Sequence, residues 1–476
     1  MSLCATVPDW QSPDLEVFSF FLKFCWILRM PMPTLQTGLP PGPKGSLIGG
    51  NLAQVGARRV DFFLEVARTY GPIASFRIGR WRLFLVSDPE LIQQVLVTDA
   101  RSYIKHFGAR TFKPVLGNGL VTSEGDFWLA QRRLLQPAFL KAKVVSYAPI
   151  MAELTEAMLA KWPEGQSVDV AFEFSALTSA IALKTLFGLD DHGDRVQIDQ
   201  SLRLTFELLT RRLDALFQLP LWLPTPANIR LNRAIANVNA VIDSFIAQKK
   251  AEPPGNDLLS TMIAAQHEDG GRMSARQLRD EAMTLYLAGH ETTALTLTWS
   301  WYLLSQNPDA EAKLCEEWKR VLGGRAARAE DLGSLPYTSA VINEAMRLYP
   351  PVYVIGREAA ADLELGGYRV KKGYTVLMSQ WVNHRDPKYF PEPERFLPER
   401  WLGGLAGRLP KFAYYPFGGG QRLCIGVHFA LMEAAIVLAT VGQKFRFTVD
   451  PGAIIDIMPQ ITLPPKYGMP TTLMRR

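Results

Sequence analysis

Ten residues near the end of the chain, Phe417-Gly-Gly-Gly-Gln-Arg422-Leu-Cys424-Ile-Gly426, set one cysteine between a glycine run and an apolar helical pattern. Glycines reach backbone conformations closed to other residues and let N–H groups come close to a sulfur. The helix expected after Gly426 directs its positive end back at Cys424, and Arg422 adds a cation two residues away. Both features favour thiolate over thiol. Such a sulfur is a metal ligand, a nucleophile, or a structural thiol packed after a turn. A nucleophile needs a base, and His428, four residues on along the same helix, is expected to face away.

Three other clusters carry chemistry. Trp128 and Arg132, four residues apart, share one helix face and offer an indole donor and a guanidinium to an anion. On its own this pair reads as an indole packed over an arginine stem. Ala288-Gly-His-Glu-Thr-Thr293 sets polar residues in the middle of an apolar helical stretch. Glycine costs about 1 kcal/mol there relative to alanine, so a local break in the hydrogen-bond ladder is expected. Ala288 and Thr292 share a face; His290 lies on another and is given no role. Glu344 and Arg347 pair at i,i+3 among apolar neighbours, and a buried pair of that kind needs a further partner. Two near-copies, Pro393-Glu-Arg395-Phe396 and Pro398-Glu-Arg400-Trp401, supply candidates.

Phe417-x-x-Gly420-x-Arg422-x-Cys424-x-Gly426 resembles the haem-ligand loop of the cytochrome P-450 family. Ala-Gly-x-Glu-Thr at residues 288–292 is similar to the family's oxygen-binding motif, and Glu344-x-x-Arg347 to its third signature. The resemblance covers residues 39 to about 475. It implies a mainly α fold with a small β region, with haem b between a long central helix and the cysteine-loop helix. By the same match Cys424 ligates the iron. Trp128, Arg132, Arg357 and Arg422 reach the haem propionates, Phe417 packs against the porphyrin, and Ala288 lines the oxygen site. Thr292 would hydrogen-bond O2 and Glu291 relay protons. The family's arginine falls on Arg400, with Arg395 left open; Trp401 stands where phenylalanine is usual.

The implied activity is haem-thiolate monooxygenation of a hydrophobic substrate: fatty acid, terpenoid, steroid or carotenoid. It uses O2 and two electrons from a separate ferredoxin, flavodoxin or reductase. The rivals are a haem-thiolate peroxygenase or isomerase, and a non-enzymatic haem sensor. The intact Glu291-Thr292 pair speaks against the first. Arg133, Lys141, Lys143, Arg408 and Lys411 flank the expected haem face and read either as ordinary surface charge or as a docking face for an acidic partner.

Helical signals are placed to hold these groups. Ser274-x-x-Gln277 starts a helix and Asn307-Pro308 stops it, leaving roughly 32 residues, or about 48 Å. Residues 73–78 and 82–86 read as a hairpin about Gly79. Val352–Ile355 and Gly366–Met378 read as strands of the same small sheet. The apolar segment 200–230 reads as amphipathic helices that could be plain core; the resemblance implies a lid over the substrate channel.

The chain has 476 residues, 48% of them hydrophobic. No repeat or low-complexity linker divides it, so residues 39–476 read as a single haem-binding catalytic domain after an extension over 1–38. The net charge of +6 comes without a Lys/Arg block interleaved with aromatics, which excludes nucleic acid. Four scattered cysteines exclude a disulfide framework or zinc site and suit a reducing compartment. The apolar run at 17–28 is too short to span a membrane and lacks the flanks of a signal peptide. A cytoplasmic monomer is expected, with at most peripheral membrane contact.

Overall fold

A computed structural model describes residues 38–162, 164–190, 195–215, 219–253, 255–265 and 273–476. The apolar run at 17–28 and nearly all of the expected extension lie outside these residues, as does Phe217 of the lid segment.

Eight helices bear on the site, numbered here in chain order: α1 (Arg59–Tyr70), α2 (Gly125–Leu135), α3 (Val170–Ala182), α4 (Arg195–Leu213), α5 (Pro226–Ala251), α6 (Ala275–Ser305), α7 (Pro336–Leu348) and α8 (Val427–Gly442). The longest, α6, has 31 residues and starts where its cap predicts, with Ser274 accepting from the Gln277 N–H at 3.2 Å. It ends before Pro308, which opens the next helix. Twenty of its side chains are buried, so it is the axis of the main core rather than an amphipathic surface helix. Helices α3, α7 and α8 pack around it.

The stretch Val170–Phe187 is long and apolar enough to cross a membrane, but 78% of it is buried in this core.

Strands β1 (Ile73–Ile78) and β2 (Trp81–Val86) form the expected hairpin, with Gly79 at φ +54° in the turn. They join β8 (Thr375–Met378), β5 (Ile355–Ala359) and β3 (Tyr103–Lys105) in a sheet ordered β1-β2-β8-β5-β3. β6 (Leu363–Leu365) and β7 (Tyr368–Val370) form a separate hairpin. Residues 352–354 are not strand: β5 begins at Ile355. Pairing with β8 starts only there, and the backbone at Tyr353 is engaged instead by the Ser379 hydroxyl (2.9 Å). A second sheet of β4 (Ser167–Asp169), β10 (Pro470–Arg475) and β9 (Phe445–Val449) had no signal in the alternation of residues.

Glu344 and Arg347 on α7 are fully buried. Arg347 donates to Glu344 through Nε and Nη2, both at 2.8 Å. Arg400 Nε completes the group at 3.0 Å. Arg395 contributes only its carbonyl, which accepts from Arg347 Nη2 at 3.0 Å, while its guanidinium pairs with Glu392 at the surface. The arginine left open by the two near-copies is therefore Arg400. Its network ties α7 to the segment 391–401, which leads into the cysteine loop.

Candidate functional site

A cavity of about 340 Å³ lies between α6 and the segment running from the cysteine loop into α8. It is lined by Cys424, Phe417, Arg422, Trp128, Arg132, Arg357, Ala288 and Thr292. Residues separated by nearly 300 positions in the chain thus face one space. Glu291, the remaining expected site residue, is not on the wall: its Oε1 accepts from the Thr462 hydroxyl at 2.8 Å.

The glycines of the cysteine loop serve close packing. A Cβ on Gly420, which sits at φ +66°, would lie 1.9 Å from the Leu96 carbonyl oxygen. The loop therefore seats directly on the backbone of its neighbour, and Cys424 N–H closes it by donating to Phe417 O at 3.0 Å. The thiol is exposed, yet its open surface gives onto the cavity. Crowding by protein atoms raises its pKa, against a smaller opposing pull from the Gly426 N–H and the Arg132 charge. The helix end pulls toward thiolate as expected, through the Gly426 N–H, but the expected help from Arg422 is corrected: the nearby cation is Arg132. Desolvation outweighs the helix end, and Arg422 is turned elsewhere. A metal bound here must displace the proton.

Arg422 donates to Ser123 O (3.0 Å) and Glu124 Oε2 (2.5 Å) and lies over the Trp128 ring, 3.8 Å from its centroid. Arg132, one turn beyond Trp128 on α2, donates to Leu423 O at 3.0 Å. Arg357 comes from β5 and spends Nη1 on Gly356 O (3.0 Å).

Two residues missed in the sequence join them, because β3 pairs with β5 and brings Lys105 opposite Arg357. Lys105 lines the cavity. Desolvation, and then repulsion from Arg357 and Arg422, push its ammonium down to about 7. His106, beside it, is driven to about 3 by burial and then by Arg357, Lys105 and Arg110. Arg357 itself falls to about 10, chiefly by desolvation. Only the strand pairing could have revealed Lys105, since nothing in its local sequence marks it.

This rim holds Lys105, Arg132, Arg357 and Arg422 against the single carboxylate of Glu124, a charge surplus that an anionic ligand would relieve. Most of the remaining wall is apolar, with Leu120, Val121, Leu285, Val352 and Ile355 among its members, interrupted by Thr284, Thr293, Thr296 and Gln380. Among the described residues no group of three His, Cys, Asp or Glu could hold a metal. A metal at Cys424 would have to bring most of its ligands with it. A flat apolar macrocycle with two carboxylates at one edge satisfies all three conditions, and haem b is such a group.

Along α6 the helix is unbroken through residues 288–293, contrary to the expected interruption. The Thr292 hydroxyl turns back onto Ala288 O at 2.9 Å, which satisfies it without opening the ladder. Gly289 faces the end of α3 and the turn after it, where an added Cβ would meet Ala182 and Leu186 at 3.7 and 3.6 Å. His290 is buried, its Nδ1 2.9 Å from Tyr286 O, in keeping with no role at the cavity.

Comparison with known proteins gives one picture. The family model described as Cytochrome P450 matches residues 40–471. Cyclooctatin synthase of Streptomyces melanosporofaciens is 41% identical over 88% of this chain and 92% of its own. Cyclooctat-9-en-7-ol 5-monooxygenase of the same organism is 36% identical, over 88% and 91%. Pentalenene oxygenase of Streptomyces avermitilis is 34% identical, over 84% and 89%. Among solved structures, the retinoic acid bound cyanobacterial CYP120A1 superposes with a TM-score of 0.82 at 26% identity, covering 93% of this chain and all of that one.

Proposed function

The chain belongs to the cytochrome P450 family and is a haem-dependent monooxygenase, and we propose that it hydroxylates a terpenoid skeleton above Cys424. The single observation that carries the site assignment is the convergence of Cys424, the cationic rim and Thr292 on one largely apolar cavity. Relatives named for cyclooctat-9-en-7-ol and pentalenene favour a terpenoid over a fatty acid, steroid or carotenoid.

Enzymes of this family use haem iron and O2, take electrons from a redox partner and bind hydrophobic substrates. When bound, the haem would supply oxygen activation and C–H hydroxylation, helped by electron donation from a thiolate ligand. The protein's tasks are separate. Cys424 would give up its proton to hold the metal, with the Gly426 N–H and Arg132 stabilising the charge that remains. Trp128, Arg132, Arg357, Arg422 and Lys105 would hold the cofactor carboxylates, and Phe417 would pack on the ring. The apolar wall excludes water and orients the substrate by shape. The Thr292 hydroxyl, parked on Ala288 O, swings to the cavity to hold or pass a proton. Glu291, linked to Thr462, connects that hydroxyl to the outside.

Electrons come from a separate ferredoxin- or flavodoxin-type protein. Arg133, Lys141, Lys143, Arg408 and Lys411 form its docking face. Arg133 lies on α2, and the other four flank α2 and the cysteine loop along the chain.

The test is a spectral titration of purified protein with terpenoid hydrocarbons and alcohols beside fatty acids, steroids and carotenoids. A spin-state shift confined to terpenoids supports the substrate class. Shifts with fatty acids alone, or with no terpenoid at all, overturn it.

A further inference from the structure

Glu124 occupies the residue before α2, where a side-chain oxygen ordinarily caps the first turn. It makes no such cap. Its two oxygens reach in different directions instead. Oε1 accepts from the Lys105 backbone N–H at 2.6 Å, and Oε2 from Arg422 Nη2 at 2.5 Å. One carboxylate therefore staples the end of β3, the start of α2 and the cysteine loop together. Among the described residues it is also the anion that acts on a cluster in which Lys105, Arg357 and Arg422 repel one another. Arg422 has its other nitrogen on Ser123 O and its face on Trp128, so Glu124 decides how much of its charge is left for a ligand.

We propose that Glu124 is a positioning residue that lowers the reduction potential of the bound haem by neutralising part of the Arg422 charge. The inference rests on the haem assignment above. Reduction adds an electron at the metal, so a fixed negative charge at the rim disfavours it. Removing that charge leaves Arg422 and Lys105 uncompensated and favours it. Half-exposure of the carboxylate (37%) screens the effect without abolishing it.

Spectroelectrochemical titration of Glu124→Gln, Glu124→Asp and the double variant Glu124→Gln/Lys105→Gln tests this. Haemin is supplied in excess so that weaker retention does not empty the site. The proposal expects a positive shift of the midpoint potential in Glu124→Gln and a potential near wild type in Glu124→Asp. It also expects a return toward wild type in the double variant, whose net charge is restored. An unchanged potential in Glu124→Gln, or an equal shift in Glu124→Asp, overturns it. Each protein is first checked for the red-shifted Soret band of its reduced carbon monoxide complex. Absence of that band from the wild type would be a failure of the haem-thiolate reading; its presence with an unmoved potential would be a failure of the Glu124 proposal alone.

Discussion

The indole N–H of Trp401 donates to Glu344 Oε2 at 2.8 Å. With Arg347 Nε and Nη2, Arg400 Nε and the Leu397 N–H, it gives this fully buried carboxylate five donors. A tryptophan where the family usually has phenylalanine is thus an added hydrogen bond to a charge. Trp401→Phe should lower stability by about 1–2 kcal/mol, the low end for a bond to an ionised group that keeps its other partners. Glu344→Ala should cost roughly 3–5 kcal/mol, because it strands two buried guanidinium groups. Chemical unfolding of the haem-loaded protein measures both. Equal losses would show that the indole bond is as important as the carboxylate itself.

Lys105 predicts a pH dependence of cofactor uptake. Its pKa is about 7 without the cofactor, and two bound carboxylates should return it toward the ordinary value of about 10.4. Between those values Lys105 holds its proton more fully in the complex than in the free protein. There Lys105 takes up a proton on haemin binding, while the Cys424 thiol, whose pKa is raised, gives one up, so the Lys105 contribution is read as the difference between wild type and a Lys105 variant. Calorimetry at about pH 8 in two buffers of different ionisation enthalpy measures the net proton exchange. Lys105→Met should release more protons on binding than the wild type; an equal exchange in the two proteins would assign the proton to another group.

Thr292 and Glu291 should separate electron consumption from product formation. Thr292→Ala removes the cavity hydroxyl while leaving α6 intact, and a lost proton-transfer group lowers the chemical step by on the order of 10²-fold. Thr292→Ser should recover most of that rate. The measurement is product formed per electron consumed, with helicity as the control. A variant as tightly coupled as wild type would remove Thr292 from the proton path.

How much of this was readable in the residues alone differs by element. The bounds of α6 followed from Ser274 and Pro308, and the β1–β2 hairpin from alternation about Gly79, because caps and strand period are local properties. Arg400 was legible through its motif but not separable from Arg395, since both arginines have a proline and a glutamate before them. Lys105 and Glu124 were illegible: strand pairing across more than 250 residues puts Lys105 opposite Arg357, and no local pattern encodes that. The raised pKa of Cys424 was missed for a related reason. Glycines, a helix end and an arginine are visible in sequence, whereas the desolvation that outweighs them exists only once the cavity has formed.

The proposed docking face predicts a change in rate. Reversing Arg133, Lys141, Lys143, Arg408 and Lys411 to glutamate should slow association with an acidic ferredoxin or flavodoxin at least tenfold at low salt and reverse the sign of its salt dependence. Stopped-flow reduction against ionic strength reads both. Partner affinity and salt dependence equal to wild type would assign these side chains to ordinary surface charge.

The central claim concerns the sulfur of Cys424, and the carbon monoxide spectrum of the reduced protein tests it most directly. The wild type is expected to show the red-shifted Soret band of a thiolate-ligated haem, and Cys424→His, loaded with the same haem, to lose that shift. An identical carbon monoxide spectrum in the two proteins would contradict the assignment of Cys424 as the axial ligand.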